Sequence, residues 1–348
     1  FNTSVKTYLQ EAYQVELAVN TVDKKEFIAA LRSAKKQLVT IGPEDLVWMS
    51  PETFKELKNE DLLYGPFSDT VLNAKKYLDA KSLDTQYWNG TPIDGYALPF
   101  NQNQLTFYYN EDMTYDAPVD LAMLLEMAKE KPGTFTYPQP EDPVGRAFIH
   151  SVILTYSSPK AFVEKPLSDS QLKALVKPGL DYLKNLAPYT VSRGAAYPRD
   201  EATYYDLFSE SQIFMVMSLD YRHASQMTGD AIYPGGTRPF FLGSVGVGPK
   251  DYLTIPYYSD NKSGAMVVMH ALLDTSLQTQ KLTSKKYQGL PVYDSKVLDE
   301  TTAAEIKKAL SRKTIPDVVK ILQQRQHDIP SQYHQKIAAL WRQMVLQP

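Results

Sequence analysis

Five histidines, His150, His223, His270, His327 and His334, are the first candidates for acid–base or metal chemistry, and none is paired with another at i, i+4 or set in an acidic cluster. With no cysteine in the chain, thiol chemistry, disulfides and Cys-ligated zinc or iron–sulfur sites are excluded. Gly243, Gly246 and Gly248 are spaced G-x-x-G-x-G and run into Pro249, whereas a dinucleotide loop needs G-x-G-x-x-G between a strand and a helix. Ser33 and Lys36 have S-x-x-K spacing but lie mid-way along an amphipathic stretch without companion motifs. No G-x-S-x-G elbow and no P-loop occurs. The expectation is therefore no catalytic residue, no metal ligand set and no cofactor.

The chemistry that remains is recognition by helix starts. Asp45 to Met49 reads as a short strand that runs straight into Ser50-Pro51-Glu52, a cap, a first-turn proline and a first-turn acid. Thr134 to Tyr137 repeats the pattern ahead of Asp142-Pro143, which opens a helix with the apolar stripe Phe148, Ile149, Val152, Ile153 and Tyr156. A third case is Ile213 to Met217 followed by Ser218, predicted to cap a helix through Asp220, Tyr221 and Met227 that stops near Gly229. Unpaired N–H groups and the helix dipole make such ends receptive to anions and polar oxygens. Repeated strand-then-helix units predict parallel α/β layering.

Around these lie the elements that must position them. Gln14 to Val19 alternates like a strand, and Asp23 to Leu38 predicts an amphipathic helix with a capping-box-like Asp23 and Glu26. Gly95 to Pro99 with Leu105 to Tyr109, and later Leu253 to Tyr257, are extended and predict crossings between two lobes. Asp260 to Lys262 starts a helix running to Leu273. Tyr233 to Pro239, with its Pro-Gly-Gly run, predicts a turn or mobile loop. Thr302 and Glu305 predict a capping box, and Ile337, Leu340, Trp341, Met344 and Val345 a packed helical stripe.

A chain of 348 residues has room for two α/β lobes, and no apolar run approaches a membrane span. A formal net charge of −3 leaves no basic footprint for nucleic acid or an anionic membrane surface, so neither is expected as a partner. Twenty-four tyrosines supply rigid rings with hydroxyls suited to recognition surfaces. The sequence opens at Phe1 without a charged or apolar leader, so any targeting segment is expected to lie outside it.

The motifs Asp45-Leu-Val-Trp-Met-Ser-Pro-Glu-Thr-Phe54, Leu62-Leu-Tyr-Gly-Pro-Phe67, Pro132-Gly-Thr-Phe-Thr-Tyr-Pro138 and Pro143-Val-Gly-Arg-Ala-Phe148 follow one another in a distinctive order. With Leu207-Phe-Ser-Glu210, Ile255-Pro256, Lys262-Ser-Gly-Ala265 and Ala271-Leu-Leu273, the chain resembles the YnjB-type substrate-binding proteins of ABC importers over nearly its whole length. The resemblance implies a type II periplasmic-binding-protein fold: two α/β lobes, a hinge, an interlobe cleft and C-terminal helices. It implies export to the periplasm or a membrane-tethered equivalent, a permease and ATPase as partners, a monomer, and a small solute of thiamine-like, zwitterionic or cationic type. Such chains begin with a strand bearing a Trp-Gly-Gly-like segment that lines the cleft, and this sequence starts after that point. An enzyme on the same fold and a ligand sensor for a receptor are the alternative readings.

On that basis lobe 1 is expected over residues 1–101 with 249–300, lobe 2 over 104–244, and a C-terminal helical segment over 301–348 packing on both. Motif by motif, the resemblance places Trp48, Met49, Ser50, Tyr96 and Asn101 in the site from lobe 1, and Gly145, Arg146, Ser218 and Tyr221 from lobe 2. Arg146 is a cation in a helix's first turn, which opposes the dipole by roughly 0.3–1 kcal/mol and hints at a ligand anion.

Overall fold

Asp23 caps its helix as its position predicts: the carboxylate accepts from the N–H groups of Lys25 and Glu26 at 2.8 and 3.0 Å, and the helix runs Lys24–Lys36 with Phe27, Ile28 and Leu31 buried. Ser50 does the same for Pro51–Asn59, and Asp142 for Pro143–Thr155. The computed structural model of the protein describes residues 2–243, 246–283, 289–293 and 299–346.

The strands are short: β1 (Val47–Trp48), β2 (Leu63–Tyr64), β3 (Tyr87–Trp88), β4 (Thr91–Pro92), β5 (Leu98–Gln102), β6 (Thr106–Asn110), β7 (Met215–Ser218), β8 (Thr237–Phe240) and β9 (Lys250–Pro256). The chain divides into two compact units, Phe1–Gln102 with Lys250–Ala309 and Asn103–Pro249 with Leu310–Pro348. In the first unit β9 pairs with β1, β2 and β5, and in the second β6 lies between β7 and β8. The β3–β4 hairpin turns on Asn89 and Gly90, at φ 51° and 78°, the left-handed pair that a two-residue turn of this hand requires.

The fold is mixed α/β, but the expected parallel layering is not what the ladders show. Every pairing among the named strands of the described residues is antiparallel. Thr134 to Tyr137, expected as a strand, is buried without a ladder; its carbonyls at Thr134 and Phe135 accept instead from Phe214 and Val191 N–H at 2.9 and 2.8 Å. Sequence alternation predicts burial, and here loops satisfied the backbone in place of a neighbouring strand.

Four other expectations are corrected. Gln14 to Val19 is not a strand: the helix Asn2–Tyr13 ends with Gln14 at φ 55° and the Val15 N–H bonded back to Leu9 O at 3.2 Å, a left-handed helix stop. Leu253 to Tyr257 is no crossing, because β9 is paired within the first unit; the chain changes unit after Gln102, Pro249 and Ala309. Tyr156 is 49% exposed at the end of its helix, while Phe148, Ile149, Val152 and Ile153 are buried as expected. The helix Glu300–Ala309 starts two residues ahead of Thr302, whose side chain lies outside the described residues.

Leu105, Phe107 and Tyr108 of β6 and the stripe of Pro143–Thr155 form one core in the second unit, joined by Trp341 from the helix His334–Met344. The Trp341 indole N–H donates to the Tyr137 hydroxyl at 3.0 Å and its ring meets Tyr197 at 4.9 Å. No helix among the described residues is long and apolar enough to cross a membrane. Trp341→Ala is expected to lower the unfolding free energy by about 3–5 kcal/mol, read by urea denaturation, since the side chain is 1% exposed and leaves a large void. A loss of about 1 kcal/mol or less would show that the C-terminal helix is not part of the core.

Candidate functional site

In the first unit Val47 anchors β1 opposite Thr254, and the chain then turns outward: Trp48 is 64% exposed. Immediately after it Ser50 Oγ accepts from Thr53 N–H at 3.3 Å and Pro51 holds the first helical position. Met49 is half-buried, with its sulfur 3.9 Å from Thr254 Oγ1.

The Trp48 ring meets Phe100 edge-on, centroids 5.6 Å apart at 79°. Its side chain also hydrogen-bonds Asp251, and since indole has only an N–H to offer, the carboxylate accepts. Asp251 accepts a second bond from Asn101 Nδ2 at 2.8 Å, the two facing each other across β5 and β9. Trp48 and Asn101 are thus brought together through a carboxylate that sequence reasoning passed over. Burial pushes the Asp251 carboxyl above its usual range, against the pull of Asn101, Trp48 and the cationic Lys281.

Lys281 lies on the helix Thr275–Thr283, fully buried, and donates to the Phe100 carbonyl at 2.9 Å. Its one sequence signal is that Leu277, Gln278, Lys281 and Leu282 share a helical face, a lysine where an apolar residue belongs. Lys250, next to Asp251, makes a buried ion pair with Asp84 at 2.9 Å. Tyr96 is spent on packing: a Cβ on Gly65 would come within 2.6 Å of its ring, and Lys58 Nζ lies 5.5 Å from the ring centroid.

In the second unit Asp142 bridges two helix starts. Oδ1 accepts from Val144 and Gly145 N–H at 2.7 and 3.1 Å, and Oδ2 from Glu201 N–H at 2.9 Å. The donors expected to await an anion are therefore largely taken by this side chain. Gly145 is a close-approach residue, because a Cβ there would lie 2.2 Å from Pro138 O. Arg146 is half-buried, Nη1 3.5 Å from Glu141 O.

Ser218 caps no helix. It ends β7, its hydroxyl accepts from Asp220 N–H at 3.1 Å in a local turn, and the next helix starts only at His223. The Tyr205 hydroxyl donates to Ser218 Oγ at 3.2 Å or Glu201 Oε2 at 3.1 Å. The Tyr205 ring lies 4.1 Å from the His223 ring, whose Nε2 is 2.9 Å from the Tyr233 hydroxyl. Tyr221 is 1% exposed, and its carbonyl accepts from the Tyr108 hydroxyl at 2.7 Å. Ser218 is thus drawn into an aromatic–imidazole group with Tyr205, His223 and Tyr233, whose members are too far apart in sequence to be read as a motif. Among the described residues no three His, Asp or Glu side chains converge as a metal site.

Comparison with known proteins agrees with this picture of recognition surfaces. Residues 3–314 match the family described as "Bacterial extracellular solute-binding protein". The chain is similar to Protein YnjB of Escherichia coli (strain K12), 28% identical over 261 residues that make up 75% of this chain and 67% of the relative. In fold it is similar to the sugar-binding protein MalE from Xanthomonas citri, TM-score 0.67 at 14% identity over 99% of this chain and 88% of that one. It is similar also to the spermidine/putrescine ABC transporter substrate-binding protein PotD of Streptococcus pneumoniae, TM-score 0.60 at 15% identity over 99% and 94%.

Burial holds His223 at about 4, and burial with the neighbouring His150 ring and Arg146 holds His334 at about 4, both down from 6.5. The unfolded chain then binds more protons than the folded one between these values, so their stabilisation is complete above pH 6.5 and fades as pH falls toward 4. Asp328, lowered to about 2 chiefly by His150 against the effect of burial, contributes in the same direction only below 3.8. The thermal midpoint is expected to be lower at pH 5 than at pH 7.5, measured by circular dichroism; a level midpoint across that range would contradict the assignment.

Proposed function

The chain belongs to the family of bacterial extracellular solute-binding proteins, and from that premise we propose that it captures a small polar solute for an ABC import system. It does so in the periplasm or from a membrane tether, as a monomer, hands the solute to a permease driven by an ATPase, and carries out no chemistry on it. The solute is a thiamine-like compound or another small zwitterion or cation.

The observation that carries this reading is Trp48. A large aromatic side chain left 64% exposed at a strand–helix junction, with its polar edge already held by Asp251, presents a ring face with no internal partner to cover it. The neighbouring Ser50 opens a helix whose first-turn N–H groups and dipole suit a polar or anionic group. Met49 and Asn101 complete the first unit's contribution as support for that ring. In the second unit Arg146 supplies the cation for an anionic group, Gly145 sets the close approach that positions it, and Ser218 and Tyr221 mark the strand end beside it. The other sugar- and polyamine-binding proteins of this fold take quite different solutes, so solute identity is decided by side chains such as these and not by the fold.

Capture at micromolar solute needs about −8 kcal/mol. A ring over a cation contributes roughly 0.5–2 kcal/mol and a helix end roughly 0.3–1, so several contacts must act together. Trp48→Ala is expected to weaken binding about tenfold without unfolding the protein, measured by calorimetric titration with the solute that native mass spectrometry finds co-purified. An unaltered isotherm would remove Trp48 from the site, and a compound released in chemically altered form would overturn the transport reading.

A further inference from the structure

β5 contains an irregularity that the ladder does not resolve by itself. Its register against β9 slips between Pro99 and Asn101, leaving Phe100 as the extra residue of a bulge. A bulge carbonyl has no strand partner, and one buried without a donor is costly by about 1–3 kcal/mol. Two side chains from the helix Thr275–Thr283 meet the need: Lys281 Nζ and Gln278 Nε2 reach Phe100 O at 2.9 and 3.1 Å. A neutral Gln278 alone would satisfy that oxygen, so the buried lysine calls for a further explanation.

Lys281 is 0% exposed, and its charge acts on Asp251, the carboxylate that holds Trp48. The same lysine, through Phe100 O, fixes the residue whose ring stands edge-on to Trp48. We propose that Lys281 is the positioning residue of the solute site, setting the charge of Asp251 and the placement of Phe100 so that Trp48 is held with one face outward. This rests on Trp48 being a solute contact, and it assigns the affinity of the first unit's half-site to a residue that never touches solute.

The groups facing the Asp251 carboxylate come from three elements. Trp48 on β1 and Asn101 on β5 donate to it, and Lys281 on the helix Thr275–Thr283 faces it as a cation. Lys250, adjacent on β9, is engaged by Asp84 from the helix Leu83–Gln86 and opposes the charge of Lys281. Burial drives both partners toward neutrality, the lysine downward and the carboxyl upward, while each favours the charged form of the other. Removing the lysine's charge therefore raises the pH at which Asp251 takes a proton.

Solute-free protein suffices for the test, because Trp88 and Trp341 are 4% and 1% exposed and an ionic quencher in water reaches Trp48 alone among the three tryptophans. Iodide quenching is followed against pH over the range in which circular dichroism shows the protein folded. Wild type is expected to show a rise in quenching as Asp251 is neutralised. Lys281→Met should move that midpoint up by about one pH unit or more, Lys281→Arg should restore it, and Asp251→Asn should abolish it. Lys281→Gln keeps a donor for Phe100 O without the charge, and decides the matter if Lys281→Met does not fold. A midpoint unmoved in the uncharged variant, or a transition that persists in Asp251→Asn, overturns the proposal. Either result leaves the Trp48→Ala isotherm to judge the solute contact separately.

Discussion

A buried strand must find a partner for every backbone N–H and C=O, and in the first unit that requirement converges on β9. Seven residues, Lys250–Pro256, face β1, β2 and β5, so three segments distant in sequence take their register from one strand. Leu253 lies opposite both Trp48 and Leu98, and Asp251 opposite Asn101. Where the pairing is clean it buries Leu98, Leu253 and Ile255; where it slips, at Phe100, it creates a polar need that a lysine and a glutamine fill from a neighbouring helix. The candidate site grows at the edge of that slip.

Much the same economy of backbone groups operates in the second unit through Asp142. One carboxylate ties the starts of Pro143–Thr155 and Glu201–Ser209, with Asp200 capping the latter in addition. Helix ends are general anion receptors, yet here the protein's own side chain largely occupies them, and the polar character of that region passes to the Tyr205, Ser218, His223 and Tyr233 hydrogen bonds. Buried tyrosines pushed well above their ordinary range, Tyr205 and Tyr233 by burial first, remain neutral donors throughout the physiological range. Such groups recognise and orient; they do not readily exchange protons.

Across both units the buried polar groups are bound to one another and to the backbone, and aromatic rings stand close to them. Lys250 with Asp84, Lys281 beside Asp251, and Tyr137 with Trp341 are all internal pairings. A fold shared with proteins of very different solutes can keep such a framework while the few exposed side chains at its strand ends vary, and this is how a solute-binding family diversifies without changing its architecture.

Short-range signals were legible from residue order alone. Asp23, Ser50, Asp142 and Asn261 cap the helices their neighbours predict, because a cap and the N–H groups it accepts from lie within three residues. The stripe through Phe148 and Val152, and Trp341 with Ile337, were equally plain, since 3.6-residue periodicity is local. Ser218 misled because the same hydroxyl can close a turn at Asp220 as readily as cap a helix, and the choice was made by Tyr205 from a different element. Asp251 and Lys281 could not be singled out: a buried charge announces itself only by its partner, and their partnership spans β9 and a helix about thirty residues on, formed by a bulge that no sequence pattern marks. Residue types and spacing thus determined where helices start and which faces are buried; tertiary structure alone decided which polar groups meet, because desolvation and pairing depend on distance in space and not on distance along the chain.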